Sequence, residues 1–172
     1  MKKIKIQKLT YETFHKFGTF SMMIDPFTEE AAGPKDADCV FFRDLLQQDL
    51  GGNAASFSTC RVVPRPMIVT DAEFHDHTCE TAIPLDGDAI LWFAPASSGN
   101  SFPADKAEAF YVPRGCAVNC RPGVWHHAPY AVNGSPVNVL VVLPERTYAR
   151  DTFCIPLAAD DQVELELSDW KS

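Results

Sequence analysis

The pattern of apolar and polar positions changes near residue 54. Before it, residues 10–17 place apolar side chains at helical spacing between a threonine that can cap a helix and Gly18, which predicts a short helix. Residues 39–50 suit a second short helix, although their first half would also suit a strand. Residues 25–38, rich in Glu, Ala, Gly and Pro, are predicted to form a surface excursion or binding loop.

From residue 54 onward, short apolar or alternating runs are separated by Pro, Gly, Asn and Asp, which is typical of a β-sandwich or barrel. Strands are predicted near residues 56–63, 81–84, 88–94, 107–112, 117–119, 126–131 and 137–143. The tail 163–167 alternates strictly and predicts an added edge strand, through which a dimer could form. The chain is therefore expected to be mainly β, with short N-terminal helices.

The composition restricts the classes of function. Lys plus Arg is 15 and Asp plus Glu is 23, so 15 − 23 gives a net charge of −8, which argues against a nucleic-acid partner. No export signal and no apolar run of roughly 20 residues is visible, so we expect a cytoplasmic protein without a membrane partner. The six cysteines form no C-x-x-C pair, and neither disulfides nor a structural zinc site are expected.

Four of the five histidines lie in two clusters, which are the main source of candidate chemistry. The first cluster reads EFHDHTCE from Glu73 to Glu80, and an extended strand would turn Glu73, His75 and His77 to one face. The second reads RPGVWHH and ends at His126 and His127, which a strand would turn to opposite faces. One of these two histidines is expected to face inward.

The two blocks resemble the two motifs of the cupin superfamily: Glu or His, one residue, His, four residues, Glu, six residues, Gly, and later Pro-x-Gly-x-x-His. The matching positions are Glu73, His75, Glu80 and Gly87 in the first block, and Gly123 and His126 in the second. The resemblance implies a cupin double-stranded β-helix, or jelly-roll barrel. Residues 1–172 would form one such domain, with 1–53 as a helical and loop preface, 54–144 as the barrel core and 145–172 as a C-terminal extension.

The resemblance also implies one divalent metal ion, and its ligands are the residues around the two histidine clusters. The candidates are Glu73, His75, Glu80 and His126, while His77 falls outside the preferred register and stays an alternative third ligand. Imidazole nitrogens and carboxylate oxygens suit Zn, Ni, Mn or Fe, and the ligand set does not choose among them.

A narrower resemblance rests on Val118-Asn119 followed by Val124-Trp125-His126-His127, which looks like the signature of the ureidoglycolate lyase family. It implies cleavage of ureidoglycolate to glyoxylate and urea in allantoin and purine catabolism, with His126, Glu80 and His75 as catalytic residues. The partner would be a small carboxylated metabolite, and the chain a homodimer. Alternatives are a metal-dependent cupin isomerase or dioxygenase acting on a carboxylated or sugar substrate, or a non-catalytic cupin that binds a small molecule.

Four further residues are candidates for binding the substrate, each with a plainer alternative. Arg61 would clamp a carboxylate, or would form a salt bridge at the barrel rim. Asn119 would hold His126, or would satisfy a turn; Trp125 would be a platform for the substrate, or part of the core. Tyr111 is a weaker candidate at the mouth of the barrel.

Overall fold

The computed structural model describes residues 1–26, 32–35 and 40–167. The strands of the described chain are β1 Lys2–Lys8, β2 Gly18–Met22, β3 Ala32–Lys35, β4 Val40–Phe42, β5 Ala55–Val62, β6 Ile68–Val69, β7 Asp71–Phe74, β8 Glu80–Pro84, β9 Ala89–Phe93, β10 Glu108–Val112, β11 Cys116–Cys120, β12 Tyr130–Ala131, β13 Val137–Pro144, β14 Phe153–Pro156 and β15 Val163–Glu166. The helices are α1 Tyr11–Phe14 and α2 Thr147–Arg150, with two 3₁₀ turns at Ser98–Asn100 and Ala104–Lys106.

Two sheets form the body of the protein. A six-stranded sheet has the order β12-β9-β10-β1-β15-β6, and a five-stranded sheet has the order β2-β11-β8-β13-β5. Strand β7 pairs with β14 and β3 pairs with β4 in two smaller ribbons. Most neighbours are antiparallel, but β1 lies parallel to both β10 and β15.

Strand β9 shows why the sheet can carry two apolar layers. All five of its residues are buried, because alternate side chains face different cores. Leu91 and Phe93 join the core between the two main sheets, while Ile90 and Trp92 join a second core. A continuous apolar strand is therefore required at this position.

The helix α1 brings an aromatic side chain into the first core. The Thr10 hydroxyl accepts a hydrogen bond from the Thr13 backbone amide and caps the helix. Phe14, fully buried, packs edge-on against Phe93 and Phe110 at ring-centroid distances of 5.2 and 5.3 Å. The short helix thus acts mainly as a support for this apolar contact.

The mainly β architecture is confirmed, and strands occur close to most predicted positions. The prediction of helices and loops for residues 1–53 is wrong for β1 and β2, which lie in the two main sheets. A helix over 39–50 is also wrong, since Val40–Phe42 forms a strand, as the alternative allowed. Ala32–Lys35 is a strand within the predicted 25–38 loop, and residues 27–31 and 36–39 lie outside the described chain.

The predicted strand at 126–131 is interrupted: Trp125 and His126 form single bridges, and pairing resumes only at Tyr130–Ala131. The tail forms the predicted strand, but it is not at an edge, because β15 lies between β1 and β6. It therefore offers no open edge for a partner, and the homodimer stays a prediction.

Neither described helix is long and apolar enough to span a bilayer. The five cysteines in the described part of the chain, Cys60, Cys79, Cys116, Cys120 and Cys154, are free thiols.

Candidate active site

The two histidine clusters meet through backbone hydrogen bonds. The Gly123 amide donates to the His75 carbonyl oxygen at 2.7 Å, and Glu73 and His126 exchange two amide-to-carbonyl bonds of 2.8 Å. Gly123 has a φ of +76°, a conformation that favours glycine, so the Pro-Gly turn can bend the chain back at this point. Residues that are far apart in sequence are thereby fixed side by side.

The side chains of His75, Glu80 and His126 converge at one point. Glu80 Oε2 lies 3.2 Å from His75 Nε2 and 3.4 Å from His126 Nε2. The two imidazole rings are 5.2 Å apart between centroids, and both histidines are buried. A carboxylate is thus held between two imidazole nitrogens away from bulk water.

Backbone carbonyls fix the orientation of both rings. His75 Nδ1 lies 2.8 Å from the Asp151 carbonyl oxygen, and His126 Nδ1 lies 2.9 Å from the Val124 carbonyl oxygen. Since a carbonyl oxygen only accepts, Nδ1 carries the hydrogen in both rings. Both Nε2 atoms are therefore directed towards Glu80.

The electrostatics favour a charged pair. Burial opposes ionisation of Glu80, but the charge of His126 and the contacts with both histidines outweigh it and hold the pKa of Glu80 at about 2. Burial likewise disfavours the charged form of His126, yet the adjacent Cys120 and Glu80 raise its pKa well above the ordinary value. At neutral pH the site therefore holds an ionised Glu80 beside a protonated His126.

Glu80 and His126 line a cavity of about 100 Å³ that is open to solvent at its mouth. Its apolar wall includes Leu91, Phe93, Val118 and Val141, from both main sheets. Its polar side chains are Glu73, Glu80, His126, His127 and Tyr148, with the thiols of Cys60 and Cys120. No Lys or Arg of the described chain lines it.

The donor set fits a divalent metal ion. Glu73, His75 and His126 each place one ligand atom within 4.8 Å of the other two, and Glu80 lies between the two histidines. His126 Nε2 is buried without a hydrogen bond, because its 3.4 Å contact with Glu80 does not have hydrogen-bond geometry. A histidine that donates its Nδ1 hydrogen to a backbone carbonyl, and so leaves Nε2 for a metal, is the usual arrangement of a histidine ligand.

His77, the alternative third ligand, is not part of this group. Its side chain is 85% exposed and its Nδ1 bonds to Asp151 Oδ1 at 2.9 Å. The prediction of His77 as a metal ligand beside His75 is wrong, because the chain turns after Phe74 instead of continuing as an extended strand.

Arg61 and Tyr111 do not reach the cavity. Arg61 is exposed on β5, where the neighbouring Cys60 takes the inward position, so the alternation of the strand directs Arg61 outward. The Tyr111 hydroxyl donates to the carboxylate of Asp88, away from the cavity. Both placements contradict the substrate-binding roles predicted for these residues.

Asn119 and Trp125 take the plainer of their two predicted roles. The Asn119 side chain accepts from the Thr81 hydroxyl at 3.1 Å and donates to the Gln47 carbonyl oxygen at 3.2 Å, so it does not hold His126. Trp125 is buried, and its ring packs against Phe74 at 4.6 Å between centroids. Asn119 therefore ties a loop to the sheet, and Trp125 belongs to the second core.

Sequence reasoning missed Tyr148 and Asp151. Tyr148 lies on α2, lines the cavity, and its ring is 6.2 Å from that of His75. Asp151 fixes His75 through its carbonyl and His77 through its carboxylate. Neither residue belongs to a motif, so no sequence signal distinguished them. His126 and His127, of which only one was expected to face inward, both line the cavity.

The described residues have the fold of a cupin. Among solved structures it is similar to a dTDP sugar isomerase from Desulfovibrio desulfuricans G20, with 14% identity, a TM-score of 0.53, and coverage of 84% of this chain and 87% of that one. An oxalate decarboxylase from Bacillus subtilis, with Mn(II) centres, matches at 16% identity and a TM-score of 0.43 over 62% of this chain. This chain spans 25% of the length of that decarboxylase.

Within this class, residues 1–166 match the ureidoglycolate lyase family, and the chain belongs to that family. No curated protein matches the chain significantly.

Proposed function

We propose that the protein cleaves ureidoglycolate into glyoxylate and urea. The observation that carries the proposal is the Glu80 carboxylate held 3.2 and 3.4 Å from two imidazole nitrogens at the wall of a cavity. Membership of the ureidoglycolate lyase family supports this choice of substrate. The reaction needs one group that accepts a proton and one that donates a proton, and this arrangement supplies both.

Cleavage transfers one proton from the substrate hydroxyl to the departing urea nitrogen. Glu80 accepts the hydroxyl proton, the carbon–oxygen double bond of glyoxylate forms, and the carbon–nitrogen bond breaks. His126 donates its Nε2 proton to the urea nitrogen. Glu80 then returns its proton to His126 across the 3.4 Å gap, which restores the starting state.

The electrostatic coupling between Glu80 and His126 assists these proton transfers. The positive charge of His126 is a principal cause of the low pKa of Glu80. As His126 loses its proton, that charge disappears and Glu80 becomes a stronger base. Proton donation by one residue therefore promotes proton acceptance by the other.

The substrate also carries a carboxylate, which needs a positively charged partner. Since no Lys or Arg of the described chain lines the cavity, the partner available is the protonated His126, or a cation on the donor set. With a divalent metal held by Glu73, His75, Glu80 and His126, the Nε2 atom of His126 would carry no proton. In that form the metal would replace the charge of His126 as the partner of the substrate carboxylate and hydroxyl. Leu91, Phe93 and Val141 exclude water from one side of the cavity.

The test is to mix the purified protein with racemic ureidoglycolate, as isolated and after addition of Zn, Mn, Ni or Fe salts. We expect glyoxylate and urea to appear in equal amounts from one enantiomer. If neither enantiomer reacts faster than the spontaneous rate under any of these conditions, the proposed function is refuted.

The roles of the residues are tested with Glu80→Gln, which keeps the side-chain volume but removes the charge. We expect kcat/KM to fall by about 10²–10⁴-fold, the usual contribution of general acid–base catalysis. The matched control is Glu145→Gln, because Glu145 is exposed and outside the cavity. Full activity in Glu80→Gln would refute the mechanism without refuting the reaction.

A further inference from the structure

A second group of metal-ligating side chains lies beside the candidate active site. One ligand atom each of Glu73, His127 and Cys154 lies within 4.8 Å of the other two. Glu73 on β7 and Cys154 on β14 are directly opposite each other in an antiparallel pair. Directly opposed residues share one face of the ribbon, so the register itself brings the carboxylate and the thiol together.

The exposure pattern confirms that this face is separate from the core. On β7, Ala72 and Phe74 are buried whereas Glu73 between them is half-buried. On β14, Phe153 and Ile155 pack against the second core whereas Cys154 between them is exposed. His127 approaches Glu73 from the edge of β7 opposite to β14, because its neighbour His126 forms a backbone bridge with Glu73 at that edge. The group therefore sits at the rim of the cavity, which Glu73 and His127 line.

Among the residues that the structure describes, the three donor groups have no other polar partner. The carboxylate of Glu73, the ring nitrogens of His127 and the Cys154 thiol make no hydrogen bond or ion pair with the rest of the described chain. This contrasts with His77, whose ring is engaged by Asp151. Three unengaged donors that converge at a cavity rim are available to an external ligand.

Their chemistry matches a borderline-soft divalent cation. A thiolate, an imidazole and a carboxylate are all ligands of Zn²⁺, with bond lengths near 2.3 Å for sulfur and near 2.1 Å for nitrogen and oxygen. A tetrahedron with these bonds separates its ligand atoms by roughly 3.4–3.8 Å. The ligand atoms of the three residues already lie within 4.8 Å of one another. Because Glu73 and His127 are half-buried and Cys154 is exposed, small side-chain rotations would bring these atoms to the distances that zinc requires.

We infer that Glu73, His127 and Cys154 form a second, thiolate-containing site for Zn²⁺ at the mouth of the cavity. Glu73 belongs both to this site and to the donor group of His75 and His126. Zinc at the mouth therefore competes with the inner group for Glu73 or is bridged to it. This inference does not depend on the reaction proposed for the cavity.

Burial and the nearby acids Glu73 and Asp71 raise the pKa of Cys154, so the free thiol stays protonated at neutral pH. A bound cation reverses this preference, and zinc binding is accompanied by release of the thiol proton.

The experiment uses Co²⁺ as a spectroscopic substitute for Zn²⁺, because a cobalt–thiolate bond gives near-ultraviolet charge-transfer absorption. We expect this absorption in the wild-type protein, its displacement by Zn²⁺, and its loss in Cys154→Ser and in His127→Gln. Cys60→Ser is the matched control, since Cys60 also lines the cavity but is outside the group; it should keep the absorption.

A second measurement follows the labelling of Cys154 by a thiol reagent. Zn²⁺ should slow labelling of this cysteine at least tenfold in the wild type and leave it unchanged in His127→Gln. The inference is overturned if Co²⁺ gives no charge-transfer absorption, or if the absorption persists in Cys154→Ser. Either outcome leaves the proposed lyase reaction untouched, because neither measurement uses turnover.

Discussion

Asp151 offers a way to loosen the segment 75–77 without changing a residue of the cavity. Its carboxylate accepts hydrogen bonds from the backbone amides of Asp76 and His77, each at 3.0 Å, and contacts His77 Nδ1 at 2.9 Å. Its own backbone carbonyl accepts from His75. Replacement by alanine removes the first three contacts and keeps the fourth.

The size of the effect can be worked out bond by bond. The His77 ring is 85% exposed, so its contact is a surface pair worth little. The two amide bonds end on a carboxylate that is only 15% exposed, and each contributes about 1.5 kcal/mol, the lower end for bonds to a charged group. Asp151→Ala should therefore lose about 3 kcal/mol, which lowers Tm by roughly 6–12 °C for a protein of this size.

Urea denaturation of the variant and the wild type at neutral pH measures this loss directly. Asp160→Ala is the control, because Asp160 is exposed, and it should stay within about 0.5 kcal/mol of the wild type. A loss below 1 kcal/mol in Asp151→Ala would show that the carboxylate does not hold this turn. Activity at a temperature where both proteins are folded should change by less than tenfold, since the carbonyl that orients His75 remains.

Three further outcomes follow from other contacts. Phe14→Ala empties a fully buried site and should cost about 4 kcal/mol in urea denaturation, whereas no measurable loss would contradict the packing. Hydrogen bonds from Asn138 lower the pKa of Asp86 below 3.8, so its contribution to stability is present above about pH 4 and is lost as pH falls through the folded pKa. The stability difference between wild type and Asp86→Ala should accordingly narrow in acid, and a constant difference would refute this. Burial raises the pKa of Cys116 to about 12, so peptide mapping should find it unlabelled by a thiol reagent while exposed Cys154 reacts in metal-free protein.

Local patterns in the sequence predicted the mainly β fold, and a family resemblance predicted that His75, Glu80 and His126 lie together. Alternating apolar runs bounded by Pro and Gly predict strands wherever one face is buried. The resemblance of residues 73–80 and 123–126 to the two cupin motifs paired histidines and a carboxylate that the fold brings within 3.4 Å. Family membership confirms the resemblance on which this pairing relied.

The failures depend on contacts that no local pattern records. β1 carries lysines among its isoleucines and was not predicted as a strand, yet it lies between β10 and β15, where long-range pairing outweighs its weak pattern. Arg61 was a candidate to clamp a carboxylate or to form a salt bridge at the barrel rim, but the pairing of β5 with β13 leaves it exposed on the outer face. Tyr148 enters the cavity from a helix of four residues whose position depends on the whole fold.

The backbone hydrogen bonds between the two histidine segments have a consequence for how such a site can change. Gly123 to His75 and the Glu73–His126 pair connect main-chain atoms only, so they persist whatever side chains occupy positions 73, 75 and 126. Apart from Gly123 in the turn, these backbone hydrogen bonds do not require particular side chains at the positions that they hold together. The donor set can therefore be exchanged one residue at a time while the spatial arrangement is kept, which makes this pair of segments a suitable place to install a different metal preference or a different reaction.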